Sequence, residues 1–506
     1  MSKSKEIISN TFIQVFGRAT LALMSVVTLK LLTHYLNVEG YGNYGSIYEY
    51  LALFSIFADY GLFTIGVREM SEKDDKEHIQ KVYSNLLTLR LILVLISMGF
   101  AILIAYLIPQ YRNTPIPMGV VLASIFVMLT LMQGGVSTIL QYNLKMFWVT
   151  IANILGKILT LGVIATTIYF IYPQNPEKGF NILIIAGAIG AFLTFLITFF
   201  SALKYAKVRL GFDFQYWKHL MKRAAPYGIA IALSTIYFKF NITMLRVMKG
   251  ETDAGLYLVP MRILEVLNVV PLYFMNSILP TMTKMIKKGQ NEFDRVMQYC
   301  FDFLSMFGIP MLIGGYLLAY PLISIVSSPK FLTNLKTGFL GSDIAFQYLL
   351  IAMIFAYFTG WLTFTLVALE KQIKLLWINL ASVIFNIVLN LIVIPAYGFR
   401  GATLASILTE ALVMILAFVM ILKIKPFKIS FRNFWKIVFA GILMGAIVYF
   451  GENIFAKFGN IGIMALIVFA GGVYGVMLYL LKVLRKETFR LPASENTGIE
   501  IRTENV

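Results

Sequence analysis

Apolar stretches of about twenty residues succeed one another along the whole chain, at 10–32, 42–67, 84–108, 118–139, 148–172, 180–203, 222–246, 254–280, 297–325, 345–368, 374–396, 401–422, 434–451 and 461–481. With a rise of about 1.5 Å per residue, each is long enough to cross the ~30 Å hydrocarbon core of a bilayer as an α-helix that satisfies its own backbone amides. The pattern predicts an all-α polytopic membrane protein of about 14 transmembrane helices. The first stretch lacks a small-residue cleavage site and many spans follow it, so it reads as a retained helix. None of the polar connectors exceeds about twenty residues by the same window. They hold no P-loop, no nucleophile and base in a shared motif, and no carboxylate pair with metal spacing, so the chain is expected not to be an enzyme.

Polar residues inside the spans are not scattered. At 100° per residue, span 10–32 gathers Asn10, Gln14, Arg18, Ser25 and Thr28 into one stripe, and span 222–246 does the same with Gly228, Thr235, Lys239, Thr243 and Arg246. Span 148–172 aligns Thr150, Asn153 and Lys157, and span 374–396 aligns Asn379, Ser382, Asn386 and Asn390. Arg18 sits about 12 Å into its span, too deep to snorkel without cost, and a charge there costs at least ~2.5 to 3.5 kcal/mol unless it faces protein or water. Arg18, Lys157, Lys239 and Arg262 are therefore candidate substrate-binding cations. Gln14, Ser25, Asn153, Asn379, Asn386 and Asn390 are candidate polar lining, with a hydrogen-bonded seam between helices as the competing reading. Glu49, Asp59 and Glu265 are the candidate coupling or gating acids. Arg262 and Glu265 stand three residues apart and can pair along one helix face, while Glu49 is expected opposite Arg262 or another deep cation. Lys30 and Arg90 lie near span ends and are expected to snorkel. Prolines 226, 260, 271, 280, 310, 321 and 395 are candidate bends.

The chain repeats itself. "YGNY" (41–44) matches "AGLY" (254–257) at an offset of 213, and "LKMFWVTIANILGKILTL" (144–161) aligns with "IKLLWINLASVIFNIVLN" (373–390) at 229. Six helices per copy is an even number, so both copies share one topology. The expected architecture is two six-helix lobes related by a pseudo-twofold axis normal to the membrane, plus two C-terminal helices. The boundaries fall at 1–210 for the first lobe, 211–425 for the second, 426–485 for the last two helices, and 486–506 for a polar cytoplasmic tail.

Composition agrees: 59% of residues are hydrophobic and 13% charged, with mean hydropathy +0.78. The formal charge of +18 would suit a nucleic-acid binder, but its placement does not. With the N-terminus inside, 29 of the 43 Lys and Arg residues fall in cytoplasmic segments and 8 in outer loops, which is the positive-inside signature of a membrane protein. The basic run "KVRLGFDFQYWKHLMKR" (207–223) reads as an interfacial amphipathic connector meeting lipid head groups. One cysteine, Cys300, excludes an intramolecular disulfide, and His34, His78 and His219 are scattered, so neither a metal nor a cofactor is expected.

The run "LKLLTHYLNVEGYGNYG" (29–45), followed by "FADYGL" (57–62) and Arg68, resembles the opening of the polysaccharide-transporter branch of the multidrug/oligosaccharidyl-lipid/polysaccharide exporter superfamily, the Wzx-type flippases. It lacks the Arg-rich, DAF-containing signature of the lipid II flippases. The resemblance implies a V-shaped two-lobe bundle that moves polyprenyl-diphosphate-linked oligosaccharide from the cytoplasmic to the outer leaflet by alternating access, for cell-surface polysaccharide biosynthesis. It also implies cationic cavity residues in the first lobe, a role falling on Arg18 and Lys157. The alternative is a cation-coupled drug or metabolite exporter of the same superfamily. The expected partners are the lipid-linked oligosaccharide, membrane lipids, a coupling ion (H+ or Na+) and a polysaccharide polymerase, with no nucleic acid. The expected location is the cell membrane, with both termini cytoplasmic. Reporter fusions within 207–222 and after the last helix should score as cytoplasmic, and a fusion within 330–336 as external. Surface labelling of the 207–222 fusion on intact cells would contradict this topology.

Overall fold

The computed structural model describes the backbone of residues 3–73 and 75–484, with side chains there except for 3–16, 226, 227, 230, 231, 234, 237 and 238. Apart from one isolated bridge, Asn334 with Phe339, the regular structure among the described residues is helical. Sixteen helices follow in chain order: α1 (Lys3–Asp59), α2 (Leu62–Met70), α3 (Lys76–Leu107), α4 (Ile116–Tyr142), α5 (Met146–Thr166), α6 (Pro176–Ala202), α7 (Phe214–Lys249), α8 (Glu251–Leu267), α9 (Val269–Lys288), α10 (Gln290–Leu317), α11 (Ala319–Val326), α12 (Ser342–Ala368), α13 (Gln372–Tyr397), α14 (Phe399–Ile424), α15 (Arg432–Phe455) and α16 (Gly459–Leu480).

The fourteen apolar windows coincide with this helical series, and the breaks inside it have local causes. Asn37, with φ 61° and ψ −174°, divides α1 into two arms that carry the first two windows. Gly61, at φ 72°, separates α1 from α2. The breaks at Asn268 and Leu318 each precede a proline by three residues, Pro271 and Pro321, whose missing N–H leaves the carbonyl four residues back without a helical donor. Among the described residues, eleven continuous helical stretches are long and apolar enough to cross a membrane. Gly17–Met70 and Arg432–Leu480 each overlap two of the predicted windows, and the seventh window lies in α7, outside those eleven. Residues 214–223, read from the sequence as interfacial connector, form the opening turns of α7.

Two compact units emerge. One comprises Met1–Leu267, Leu322–Ala352 and Gln372–Val413; the other comprises Asn268–Pro321, Met353–Lys371 and Met414–Val506. In the first, small residues let helices approach closely: Gly156 of α5 and Gly190 of α6 each face the other's backbone carbonyl. The second arm of α1 meets α8 in the same way, because a Cβ on Gly42 would collide with the Glu251 carbonyl and one on Gly255 with the Val38 carbonyl. In the second unit α10 packs on α15 through Gly441 and Gly445, which receive Ile309 and Ile313, and Phe301 gathers Phe358, Trp361, Phe431 and Phe434 around it.

Arg90 does not snorkel. It is buried and ion-paired with Asp59, because Gly134 and Gly135 of α4 leave the space its guanidinium and Cδ occupy; a Cβ on either would stand 3.2 or 3.0 Å from them. Packing room next to an acid offers a charged group a better alternative than a stretched path to water.

One contact pattern occurs twice. In the first unit the Gln80 side chain brackets the connector after α6, donating from Nε2 to the Lys207 carbonyl (2.6 Å) and accepting from its N–H (3.0 Å), while Nε2 also meets Ser84 Oγ (2.9 Å). In the second, Gln298 brackets the connector after α14 identically: Nε2 to the Ser430 carbonyl (3.0 Å), Oε1 from the Ser430 N–H (2.7 Å), and Nε2 to Asp302 Oδ1 (2.8 Å). Gln298 and Asp302 each lie 218 positions after Gln80 and Ser84, between the two sequence offsets. A primary carboxamide carries one donor side and one acceptor, so it closes a two-bond ring with a peptide as a neighbouring strand would. Beside the first ring, Asn85 accepts from the Asp213 N–H and the Trp217 indole at 3.0 Å each. Lys81, 2.8 Å from Asp213, and the Tyr216 N–H hold the Asp213 carboxyl below the ordinary carboxylate range. Gln80→Leu removes both ring bonds, at roughly 1 kcal/mol each. Trypsin should then cut the 204–209 segment several-fold faster in detergent-solubilised protein, while cleavage at 425–428 stays unchanged.

Candidate functional site

The duplication meets itself at one place in the first unit. On the second arm of α1, Gly42, Gly45 and Glu49 share a face; on α8, Gly255, Leu258 and Arg262 stand 213 positions later. These equivalent residues face one another: Gly42 lies against the backbone of Glu251 and Gly255, Gly45 against Leu258, and Glu49 Oε1 accepts from Arg262 Nη2 at 2.6 Å. Contact between matching positions of two copies is what a two-fold axis between them produces. Glu49 and Arg262 each follow their glycine by seven residues, two helical turns, so the side chains return to the facing side where the helices are still close.

Two further residues complete a network of alternating charge. Arg262 Nη1 forks onto Glu265 Oε1 and Oε2 at 3.0 and 2.9 Å along α8. Lys239 of α7 places Nζ 3.1 Å from Glu265 Oε1 and 2.9 Å from Glu49 Oε2, the latter an ion contact off the hydrogen-bond line. The Tyr41 hydroxyl, two turns before Glu49, packs on Arg262. The side chains of Glu49 and Glu265 differ in setting, at 3% and 42% exposed, and the cations lie between at 25% and 31%. Two cations and two carboxylates cancel, which lets four charges share a low-dielectric place.

The other predicted residues are distributed as follows. Arg18 is exposed on the first arm of α1, next to Gly17, whose Cα abuts Thr150 at the head of the α5 stripe. Ser25 is exposed and bonds back to the Leu21 carbonyl. Lys157 and Asn153 are half-buried on α5; Lys157 lies within electrostatic range of Arg262 and makes no ion pair among the described residues. The Gln14 side chain lies outside the described residues, as does the tail 486–506. Asn379, Asn386 and Asn390 are buried. Asn390 Nδ2 donates to Asn241 Oδ1 (2.7 Å) and Asn386 Oδ1 (3.0 Å), Asn386 donates to Thr409 (3.0 Å), and Asn241 donates to Ser406 (3.0 Å), which also meets Tyr257. The α13 stripe is thus engaged in contacts between α7, α13 and α14.

Sequence reasoning missed several polar partners. Arg246, the last member of the 222–246 stripe, is buried, with Nε and Nη2 on Asn43 Oδ1 at 3.1 and 2.9 Å and Glu251 at 3.3 Å. Glu69 is buried at the end of α2, where Arg223, Tyr216 and His219 of α7 converge on it, and Arg223 also reaches Glu72 at 2.7 Å, holding that exposed carboxyl below its ordinary range. The stripe of its span contained Arg246 but did not name Asn43, 203 positions away, and Glu69 lies outside any stripe, its partners more than 140 positions on.

Against this geometry, the family described as polysaccharide biosynthesis protein matches residues 7–286. The chain belongs to that family. Its fold is shared with solved transporters. The structure titled lipid II flippase MurJ, inward closed conformation, aligns over 94% of this chain and all of its own, with TM-score 0.72 and 16% identity. An inward-facing multidrug resistance MATE family transporter of the MOP superfamily aligns over 80% of this chain and 95% of its own, with TM-score 0.62 and 13% identity. A MOP superfamily transporter from Pyrococcus furiosus, described as having a binding pocket of reverse polarity, aligns over 88% of this chain and 96% of its own, with TM-score 0.56 and 14% identity. No curated protein matches the chain. The all-helical architecture expected from the sequence is this MurJ- and MATE-like fold, and the chain is a multi-pass membrane protein of the polysaccharide biosynthesis family.

Glu49 holds both cations from a buried position, so Glu49→Ala leaves two partly buried charges facing each other. The expected cost is about 3–5 kcal/mol, read as a lowered unfolding midpoint in detergent. Glu265→Ala, on the exposed side, should cost far less.

Proposed function

We propose that the protein flips polyprenyl-diphosphate-linked sugar units from the cytoplasmic to the outer leaflet of the cell membrane, by alternating access between lobes 1–210 and 211–425. Family membership over residues 7–286 carries this reading, and the deep cations of the first unit support it. A diphosphodiester brings about two negative charges and a set of acceptor oxygens, which an arginine fork engages bidentately and an ammonium as a point charge. Arg18 and Lys157 are the first-lobe cations in this scheme, and Arg262 with Lys239 form the second pair. Gln14, Ser25 and Asn153 replace water around sugar hydroxyls, while Asn379, Asn386 and Asn390 hold the helices behind them. The polyprenyl tail stays in lipid while the head group passes. Glu49 and Asp59, each holding a buried or half-buried arginine, gate the motion by breaking and re-forming those pairs. A coupling ion (H+ or Na+) drives the cycle, the product passes to a polysaccharide polymerase, and both termini face the cytoplasm.

A second reading, a cation-coupled drug or metabolite exporter, draws on one observation: Arg262 and Lys239 are neutralised by Glu49 and Glu265. The two readings part at Arg18. In a flippase assay in vesicles or a complementation assay of surface polysaccharide, Arg18→Ala should abolish transport of the lipid-linked substrate and Arg18→Lys should retain part of it. Wild-type transport by a normally inserted Arg18→Ala protein would reject the diphosphate role.

A further inference from the structure

The two carboxylates of the charge network are not equivalent, and the difference bears on how the network meets a ligand. Glu49 is 3% exposed and belongs to α1, whereas both cations lie on α7 and α8. It is held by the glycine contact at Gly42 and Gly45, so withdrawing it requires two helices to part. Glu265 is 42% exposed and sits on α8 itself, three residues from Arg262. Withdrawing it requires only side-chain rotation, because donor and acceptor sit on one helix and, among the described residues, no backbone contact holds the carboxylate.

The donors that Glu265 occupies are those an oxyanion would use. Its two oxygens fork onto Arg262 Nη1 at 3.0 and 2.9 Å, and Oε1 also takes Lys239 Nζ at 3.1 Å. A carboxylate bridging a guanidinium and an ammonium has the charge and two-oxygen geometry of one edge of a phosphate. While Glu265 is in place the network is neutral. Rotating it outward leaves Arg262 and Lys239 with Glu49 alone, a net charge of +1, to which Lys157 adds another within range of Arg262. The site then carries about the charge that a diphosphate neutralises.

We propose that Glu265 is a self-ligand: in the unloaded protein its carboxylate fills the donor pair of Arg262 and Lys239, and an incoming diphosphate displaces it. During this exchange Glu49 keeps its contacts and holds both cations aimed; its pair with Arg262 breaks only in the gating motion. The exchange forms and breaks no covalent bond and moves no proton. It keeps two cations from being stranded without a counter-charge when the site is empty, and it sets a threshold, because a singly charged or weakly accepting ligand does not outcompete a carboxylate already bound to three donor contacts. This inference rests on the diphosphate reading above, and its test separates the two.

The probe is inorganic pyrophosphate, titrated calorimetrically into the purified full-length chain in detergent. Glu265→Gln is nearly isosteric and removes the competing charge, so its pyrophosphate affinity should rise at least tenfold over the native protein. Glu265→Asp, a shorter carboxylate, should give a smaller rise. Arg262→Gln added to Glu265→Gln should abolish the gain. Unchanged or weaker pyrophosphate binding by Glu265→Gln, with an unfolding midpoint like that of the native chain, overturns the self-ligand role and makes Glu265 a structural partner of Arg262. Tighter pyrophosphate binding by Glu265→Gln in a chain that does not move lipid-linked oligosaccharide upholds the self-ligand and refutes the substrate instead.

Discussion

The close approach of the second arm of α1 to α8 is the constraint on which the charged centre depends. Any side chain at Gly42 or Gly255 would force the backbones apart, and two turns further along, Glu49 and Arg262 would lose the 2.6 Å contact that anchors the network. In hydrocarbon, helix association gains nothing from expelling water, so small residues that admit close packing take the place of an apolar core. Here the close packing also sets the electrostatics: a carboxylate held at 3% exposure is tolerable only where two cations reach it.

The same economy explains the arrangement of charges elsewhere. Three buried ions have partners from distant helices or neighbouring turns: Arg90 meets Asp59, Arg246 meets Asn43 and Glu251, and Glu69 meets Arg223 and Tyr216. In the first two cases a glycine or a short polar side chain supplies the room. Asn241, Asn386 and Asn390 are linked in a buried chain of amides, Asn390 Nδ2 donating to both of the others, where neutral groups avoid the desolvation that ions would suffer. Within the charge network the exposed member is Glu265, whose side chain can move without the helices parting.

Duplication is visible at two scales. In the chain it is a faint match between apolar segments, where composition alone makes similarity common. In the structure it is a recurrence of contacts: a carboxamide ring on each outgoing connector, and matched positions of α1 and α8 facing each other. Contacts retain the pattern because Gln80 and Gln298 have a geometric task that a generic apolar residue does not. The division into compact units follows packing and cuts the chain elsewhere than at the duplication, since α9, α10 and the later parts of α12 and α14 cluster with α15 and α16.

Much of this protein was readable from one dimension. The all-helical architecture and the polar stripes depend on local composition and on the 100° step of the helix, which a linear sequence carries in full. The Arg262–Glu265 pairing was readable for the same reason, three residues apart on one helix, and the repeat offset pointed from Glu49 to Arg262. Tertiary structure alone decided that both pairings hold at once, that Lys239 joins them, that Arg90 turns inward to Asp59, and that Asn386 and Asn390 meet α7 and α14. Each of those depends on which helices lie side by side and how closely. That is set by glycines and by packing room, properties of two surfaces together that periodicity along either helix does not encode.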